Sequence, residues 1–350
     1  MKNRKNLIQV AVASVGMLFV IFDTKTAVNA AYEGIELCLH TVIPSLFPFI
    51  ILSGVINSCL IGRQIHILRP LGRLCNIPNG AESLLILGFL AGYPIGAQLI
   101  AQSYRDGRLS LKTARRMLGF CNNAGPAFIF GMLSPLFSSV KVIIILWFIQ
   151  MISALITGFV LPIAPPSAAH MVPGNGISLA ESLQKALWAI ATVSGWVVLF
   201  RIIIGFCNRW FLWRYPVRIQ ILISGIFELA NGCALLNNLP SEGVRFLISG
   251  ILLSFGGLCV GMQTISVTAG LGTGWYFPGK IFQTTLTGLI CLLLQPILFS
   301  RSEAIIPALA VTISLSLFLI FIVSILHRKK VVAFWGRLLY NTNNNMSKGA

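Results

Sequence analysis

Glu228 is the acidic side chain set deepest in an apolar run of this chain, ILISGIFELANGCALL. A carboxylate at membrane depth costs at least ~2.5 kcal/mol on insertion scales, so by default it marks a functional site. It could bind a coupling cation, accept a proton or hydrogen-bond a substrate. It could instead pin a turn as a protonated or paired group. Asn231 and Gly232 follow within one turn. The amide can donate and accept without a charge penalty, although Asn beside Gly is also ordinary turn chemistry. A second interruption, Gly92, Tyr93, Pro94 and Gly96, breaks the run LLILGFLAGYPIGAQLI. Pro94 removes a backbone donor and the glycines permit positive φ, so this stretch can turn amides and carbonyls toward a ligand. Two half-helices meeting there would aim positive dipole ends at an anion. The plainer alternative is a kinked helix packed closely on small residues.

Two further apolar runs are broken. One carries Asn122, Asn123, Gly125 and Pro126 in GFCNNAGPAF; the other carries Ser254, Gly256, Gly257, Gln263 and Thr264 in LSFGGLCVGMQT. Irregular backbone at membrane depth is tolerated only where protein or a water-filled cavity surrounds it. Interhelical hydrogen bonding by small and amide residues would leave the same signature. Arg201, near the middle of another run, could pair with Glu228, meet an anionic substrate or snorkel to an interface. The expected substrate-binding set is Gly92, Tyr93, Pro94, Gly96, Asn122, Asn123, Gly125, Glu228, Asn231, Gly232 and Gln263. Gln150, a polar residue in an unbroken run, is expected to matter less. No nucleophile–base pair, Walker motif or zinc motif is present, which argues against an enzyme and against a cofactor.

These residues need a membrane scaffold. Hydrophobic residues make up 56% and charged residues 10% of the 350, with mean hydropathy +0.85. Soluble domains carry about 25% charged residues, so composition points to an all-α polytopic membrane protein. The net charge of +17 comes from basic residues that lie mostly between apolar runs, where they act as topology determinants. No basic stripe interleaved with aromatics suggests nucleic acid. The eight cysteines form no CxxC pair, and the four histidines are scattered, so neither a disulfide framework nor a metal site is expected.

Windows near the roughly 20-residue span length mark ten apolar segments. They cover 7–22, 35–61, 84–104, 117–137, 140–163, 185–207, 218–238, 244–270, 280–299 and 304–326. The first follows Lys2, Arg4 and Lys5, and Val28-Asn29-Ala30 loosely resembles a signal-peptidase site. We read it as a span that stays attached, with a linker through Asp23 and Lys25 up to residue 34. If all ten crossed, the loop at 105–116, with five basic residues, would lie outside. If 84–104 and 218–238 are re-entrant hairpins, about eight spans remain. Both termini then lie inside, with sixteen basic residues inside against seven outside. The order span, hairpin, broken span, span then occurs twice, in opposite orientation. That is an inverted repeat, the architecture of many alternating-access carriers. The expected layout is an N-terminal span and linker (1–34), a first repeat (35–163), a linker (164–184), a second repeat (185–299), and a C-terminal span with a polar tail (300–350).

LFPFIILSGV at 46–55, GFLAGYPIGAQ at 88–98, GFCNNAGPAFIFG at 119–131, FELANG at 227–232 and FGGLCVGMQ at 255–263 carry a resemblance. The chain resembles the YlbJ-type sporulation integral membrane proteins of the nucleoside recognition (gate) domain family, itself similar to concentrative nucleoside transporters. The resemblance covers roughly residues 35–300. It implies a multi-pass protein of the mother-cell-derived membrane around the forespore. It also implies transport of a small anionic or nucleoside-like solute, dipicolinate first among candidates, with room for a coupling ion and a homo-oligomer. The rival class is a non-transporting scaffold or assembly factor for the spore envelope. The chain departs from the family pattern at Gln98, where a Lys is frequent, and at Ala230, where Thr is frequent.

Overall fold

The computed structural model describes residues 2–162 and 173–299, and every regular element among them is helical. The expected segment at 304–326 and the polar tail lie outside the described residues, as does part of the 164–184 linker. Helix α1 (Lys2–Phe22) ends at Asp23, whose carboxylate accepts from the amide of Thr26 and starts α2 (Thr24–Leu37). The stretch read as a linker therefore continues as helix. A single π-helical turn at Cys38–Val42 joins α2 to α3 (Ile43–Leu60), which carries Pro44 in its first turn and Pro48 inside. Such a turn absorbs one extra residue and shifts the face of the helix that follows.

After α4 (Arg69–Leu74), two short helices, α5 (Glu82–Leu90) and α6 (Ile95–Arg105), flank the Tyr93–Pro94 break. The first broken segment becomes α7 (Leu111–Met117), an irregular stretch, and α8 (Pro126–Leu133); α9 (Val140–Val160) follows. The second half repeats the order. A long helix α10 (Leu179–Trp210) precedes a short pair, α11 (Val217–Phe227) and α12 (Leu229–Leu235), broken at Glu228. Next come α13 (Glu242–Phe255) and α14 (Gly257–Val267), hinged at two glycines, and then α15 (Tyr276–Leu298). Gly256 and Gly257 have φ of +79° and +81°, a conformation that L side chains rarely adopt.

Each short pair folds back on itself. A Cβ on Gly232 of α12 would collide with the Cα of Gly225 on α11. In the first pair, a Cβ on Gly88 of α5 or on Gly96 of α6 would collide with the same carbonyl oxygen, that of Cys121. The 119–125 stretch therefore lies against the pair, between its legs.

Among the described residues, five stretches are long and apolar enough to cross a membrane: 24–60, 140–160, 179–210, 242–267 and 276–298. Exposed Phe148, Ile152 and Phe159 on α9, Trp188 on α10, and Leu293 and Ile297 on α15 suit acyl chains. The chain is a multi-pass helical integral membrane protein. The shorter apolar helices, Val10–Phe22, Pro126–Leu136 and Val217–Phe227, fall below that length.

Among the described residues two apolar cores hold the bundle, and each draws on both halves of the chain. One joins Leu84, Ile100 and Phe120 to Ala189, Val193 and Tyr276. The other joins Phe128, Ile143 and Leu146 to Leu229, Phe246 and Leu252, and takes in Tyr93 from the first break. Two basic residues of the 105–116 loop also have internal work. Arg116, 2% exposed, donates to the carbonyls of Cys75 (2.6 Å), Pro162 (2.9 Å) and Gly158, closing the C-terminal end of α9. Arg115 donates to Leu271 O at 2.7 Å. Their charges thus serve packing as well as orientation. Cys75, beside Arg116, has its thiol pushed up to about 11 by burial, so it is an inert core residue rather than a nucleophile.

Candidate functional site

Glu228 interrupts helix geometry with φ −146° and ψ 120° and is 3% exposed. Its carboxylate turns back on the new helix and accepts from the amides of Ala230 (3.0 Å) and Asn231 (2.6 Å). It is thus the N-cap of α12, satisfying two amides that have no helical partner and placing negative charge at the positive end of the dipole. Arg201 does not pair with it. The guanidinium instead bonds Asn231 Oδ1 and Glu33, tying α10 to α12 and α2. The Asn231 Nδ2 is buried without a protein partner among the described residues.

The first break meets the second half of the chain through Tyr93. Its hydroxyl lies 3.1 Å from Leu253 O and 3.4 Å from Ser254 O, the carbonyls left open where α13 stops. The ring lies against Gly256, so a Cβ there would sit 3.2 Å from Tyr93 Cζ. A Cβ on Gly257 would sit 3.0 Å from Gly225 O on the second hairpin. The glycine hinge between α13 and α14 is therefore the place where both breaks converge.

A half-open cavity lies at this convergence. Tyr93, Gly125, Glu228 and Gln263 line it, so each break and each broken segment contributes to the lining. Apolar walls come from Val42 and Leu46 of the π-turn and α3, Val193 and Val197 of α10, Phe128 and Val260. The start of α8, which no side chain caps, opens on it at Gly125.

The remaining candidates buttress this lining. The Gly92 and Gly125 backbones touch, such that a Cβ on Gly92 would lie 3.0 Å from Gly125 N. Pro94 precedes α6 through a cis peptide bond with Tyr93. Asn122 accepts from Ala97 N (3.2 Å) and donates to Thr264 Oγ1 (3.1 Å), linking the first hairpin to α14. Gln263 donates to Cys259 Sγ at 3.3 Å. Gly96 and Gly232 provide the close approaches already described.

Composition and spacing did not reveal Lys280. It opens the expected segment 280–299, where a Lys reads as a flanking topology charge. In the structure it is fully buried: its ammonium lies 3.1 Å from Tyr93 Oη, 3.0 Å from Asn123 Oδ1 and 2.8 Å from Gln283 Oε1, and 5.0 Å from the centre of the Tyr93 ring. A usable signal was present. Lys280, Gln283 and Thr287 recur at helical spacing on one face, and Thr287 accepts from Ser254 at 2.7 Å. Gln150 belongs to the same network. Its Nε2 donates to Leu253 O (3.2 Å) and its backbone carbonyl accepts from Gln283 Nε2 (3.3 Å). Gln150, expected to matter less than the site residues, is thus buried in the network around Lys280.

Part of the chain is similar to a named protein. The sporulation integral membrane protein YlbJ of Bacillus subtilis (strain 168) is 32% identical over 117 residues. The match takes in 32% of this chain and 28% of that relative, so this chain covers less than a third of the relative's length. It supports the resemblance to the YlbJ-type proteins over that stretch. No protein-family model matches the chain, and no solved structure matches it.

Proposed function

We propose that this chain is a secondary transporter acting in sporulation, which moves a small anionic or nucleoside-like solute by alternating access around the cavity between the two breaks. The observation that carries this reading is the convergence of both helix breaks and both broken segments on one cavity. Paired interruptions in corresponding places of two halves are the best sequence pointer to a carrier's substrate site. In this reading the two short pairs are re-entrant hairpins, the halves are an inverted repeat, and rocking of one half against the other exposes the cavity to each side in turn. Dipicolinate is the leading solute through the family resemblance, and the membrane is the one around the forespore. The aromatic face of Tyr93 suits a flat heteroaromatic ring. With no ATP-binding motif, an ion or solute gradient supplies the energy.

The test is uptake into vesicles containing the purified chain. Dipicolinate, nucleosides and small anions are offered under proton, sodium and potassium gradients. Movement of at least one of them above empty vesicles is expected. No movement under any gradient would favour the scaffold or assembly-factor reading. Topology is checked separately. A single cysteine at exposed Asp106 or Lys112 should react only with reagent admitted to the cytoplasmic side. Labelling from the opposite side overturns the inverted repeat.

A further inference from the structure

Lys280 is a basic side chain buried behind a cavity whose lining itself holds none. Among the described residues, the lining carries one carboxylate, Glu228, and no Lys or Arg. Lys280 stands immediately behind that lining, separated from the cavity by Tyr93. Its three acceptors are the Tyr93 hydroxyl, the Asn123 carbonyl oxygen and the Gln283 carbonyl oxygen. The amide orientations are fixed by their other bonds. Asn123 Nδ2 donates to Phe120 O at 2.7 Å, and Gln283 Nε2 donates to Asn123 Oδ1 at 2.8 Å and to Gln150 O. Two acceptor-only oxygens and a hydroxyl match the three donors of an ammonium; a neutral amine would turn its lone pair on one of them.

Four carboxylates of the described residues are engaged elsewhere, Glu82 and Glu228 buried, Asp23 and Glu33 more exposed. Glu82 pairs with Arg69, Glu33 with Arg201, Asp23 with Arg209, and Glu228 caps α12. Among the described residues, no carboxylate is a hydrogen-bond partner of Lys280. A buried charge without a counter-ion is costly unless something compensates it, and such charges inside membrane proteins mark ligand counter-ions and transport pathways.

We propose that Lys280 is the specificity-determining charge of this site: held out of contact by Tyr93, it makes the cavity prefer a carboxylate-bearing solute over its neutral isostere and is compensated when that solute binds. The inference rests on the reading that this cavity takes the transported solute, but not on transport itself. The solute's carboxylate sits on the Tyr93 side, next to the uncapped start of α8, whose dipole has the same sign as Lys280.

The test is calorimetric binding to the purified full chain in detergent, using a pyridine carboxylate and its neutral carboxamide as probes. The wild type is expected to prefer the carboxylate. Lys280→Gln should weaken the carboxylate roughly tenfold or more, the scale of one charge acting across a partly dry site, while the carboxamide changes by about twofold at most. Gln283→Glu, which sets a counter-ion against Lys280 without removing it, should erase the same preference; it keeps the test open if Lys280→Gln does not accumulate. Equal loss for both probes in both variants, or an unchanged carboxylate preference, overturns the inference. So does a wild type that binds the two probes equally or binds neither. Carboxylate-selective binding without vesicle transport upholds the role of Lys280 and removes only the transporter reading.

Discussion

Glu228→Gln is expected to reduce solute movement at least about tenfold while the protein still accumulates in the membrane, because the change removes a charge from the cavity wall at little cost to the fold. The structural cost is bounded by capping. Both carboxylate oxygens of Glu228 accept backbone amides at the start of α12, and Gln keeps one of those acceptors. Complete loss of an N-cap costs about 0.5–2 kcal/mol, so a partial loss should leave thermal stability nearly intact. Glu228→Asp separates the two roles. Asp is a good cap and keeps the charge but draws it back from the cavity. If the charge acts on the solute or a coupling ion, Asp retains part of the transport and Gln retains little. A Glu228→Gln variant that transports at the wild-type rate, with the same pH and ion dependence, would show that Glu228 is a cap alone. Asn231 follows the same logic at smaller amplitude: its oxygen holds Arg201, so Asn231→Ala leaves that guanidinium short of an acceptor, a loss of about 1–3 kcal/mol.

The breaks at Tyr93–Pro94 and Glu228 were legible because each combines turn chemistry with an apolar run, a pairing that a plain span does not need. Glu228 and Asn231 were legible as neighbours at one break. That Glu228 would spend both oxygens on its own helix was not legible, because capping depends on φ and ψ at one residue. The partner of Arg201 was likewise hidden. Glu33 lies 168 positions away in a stretch whose polar residues suggested a linker, and only the packing of α2 along α10 brings the two together. The Cys38–Val42 π-turn had a partial signal in Pro44 and Pro48, which disturb backbone bonding without saying how it is resolved. Lys280 was not singled out, because it stands at the very start of an apolar segment. A charge at the first residues of a segment usually reaches the interface, but here the preceding turn, Thr268 to Trp275, begins well inside the packed protein: Thr268 and Leu271 are almost fully buried. The topology charge count met the same difficulty. Arg116 counts toward orientation by sequence, yet it is enclosed and bonded to carbonyls.

Gly96→Ala is expected to be among the most damaging single changes to the chain, although it adds one methyl group. The Cβ at Gly96 falls on the carbonyl oxygen of Cys121, and the next amide, Ala97 N, is held by Asn122 Oδ1 at 3.2 Å. The obstacle is backbone on both sides, so no side chain can swing away. Separating α6 from the 119–125 stretch would also draw Gly92 from Gly125 and Tyr93 from the α13–α14 hinge, opening the cavity. Overpacking in a dense interior costs typically about 1–3 kcal/mol, occasionally more, and rigid backbone places this site at the upper end. The expected outcome is a clear fall in melting temperature in detergent together with loss of ligand binding. Gly131→Ala is the matched control. Gly131 lies in α8 with nothing near its added Cβ, so the change should be neutral or stabilising by about 0.5–1 kcal/mol through helix propensity. The two substitutions are chemically identical and differ only in what the methyl meets. If Gly96→Ala is as stable as the wild type and binds ligand equally well, the first hairpin does not pack on the 119–125 stretch and the cavity between the breaks is not the solute site.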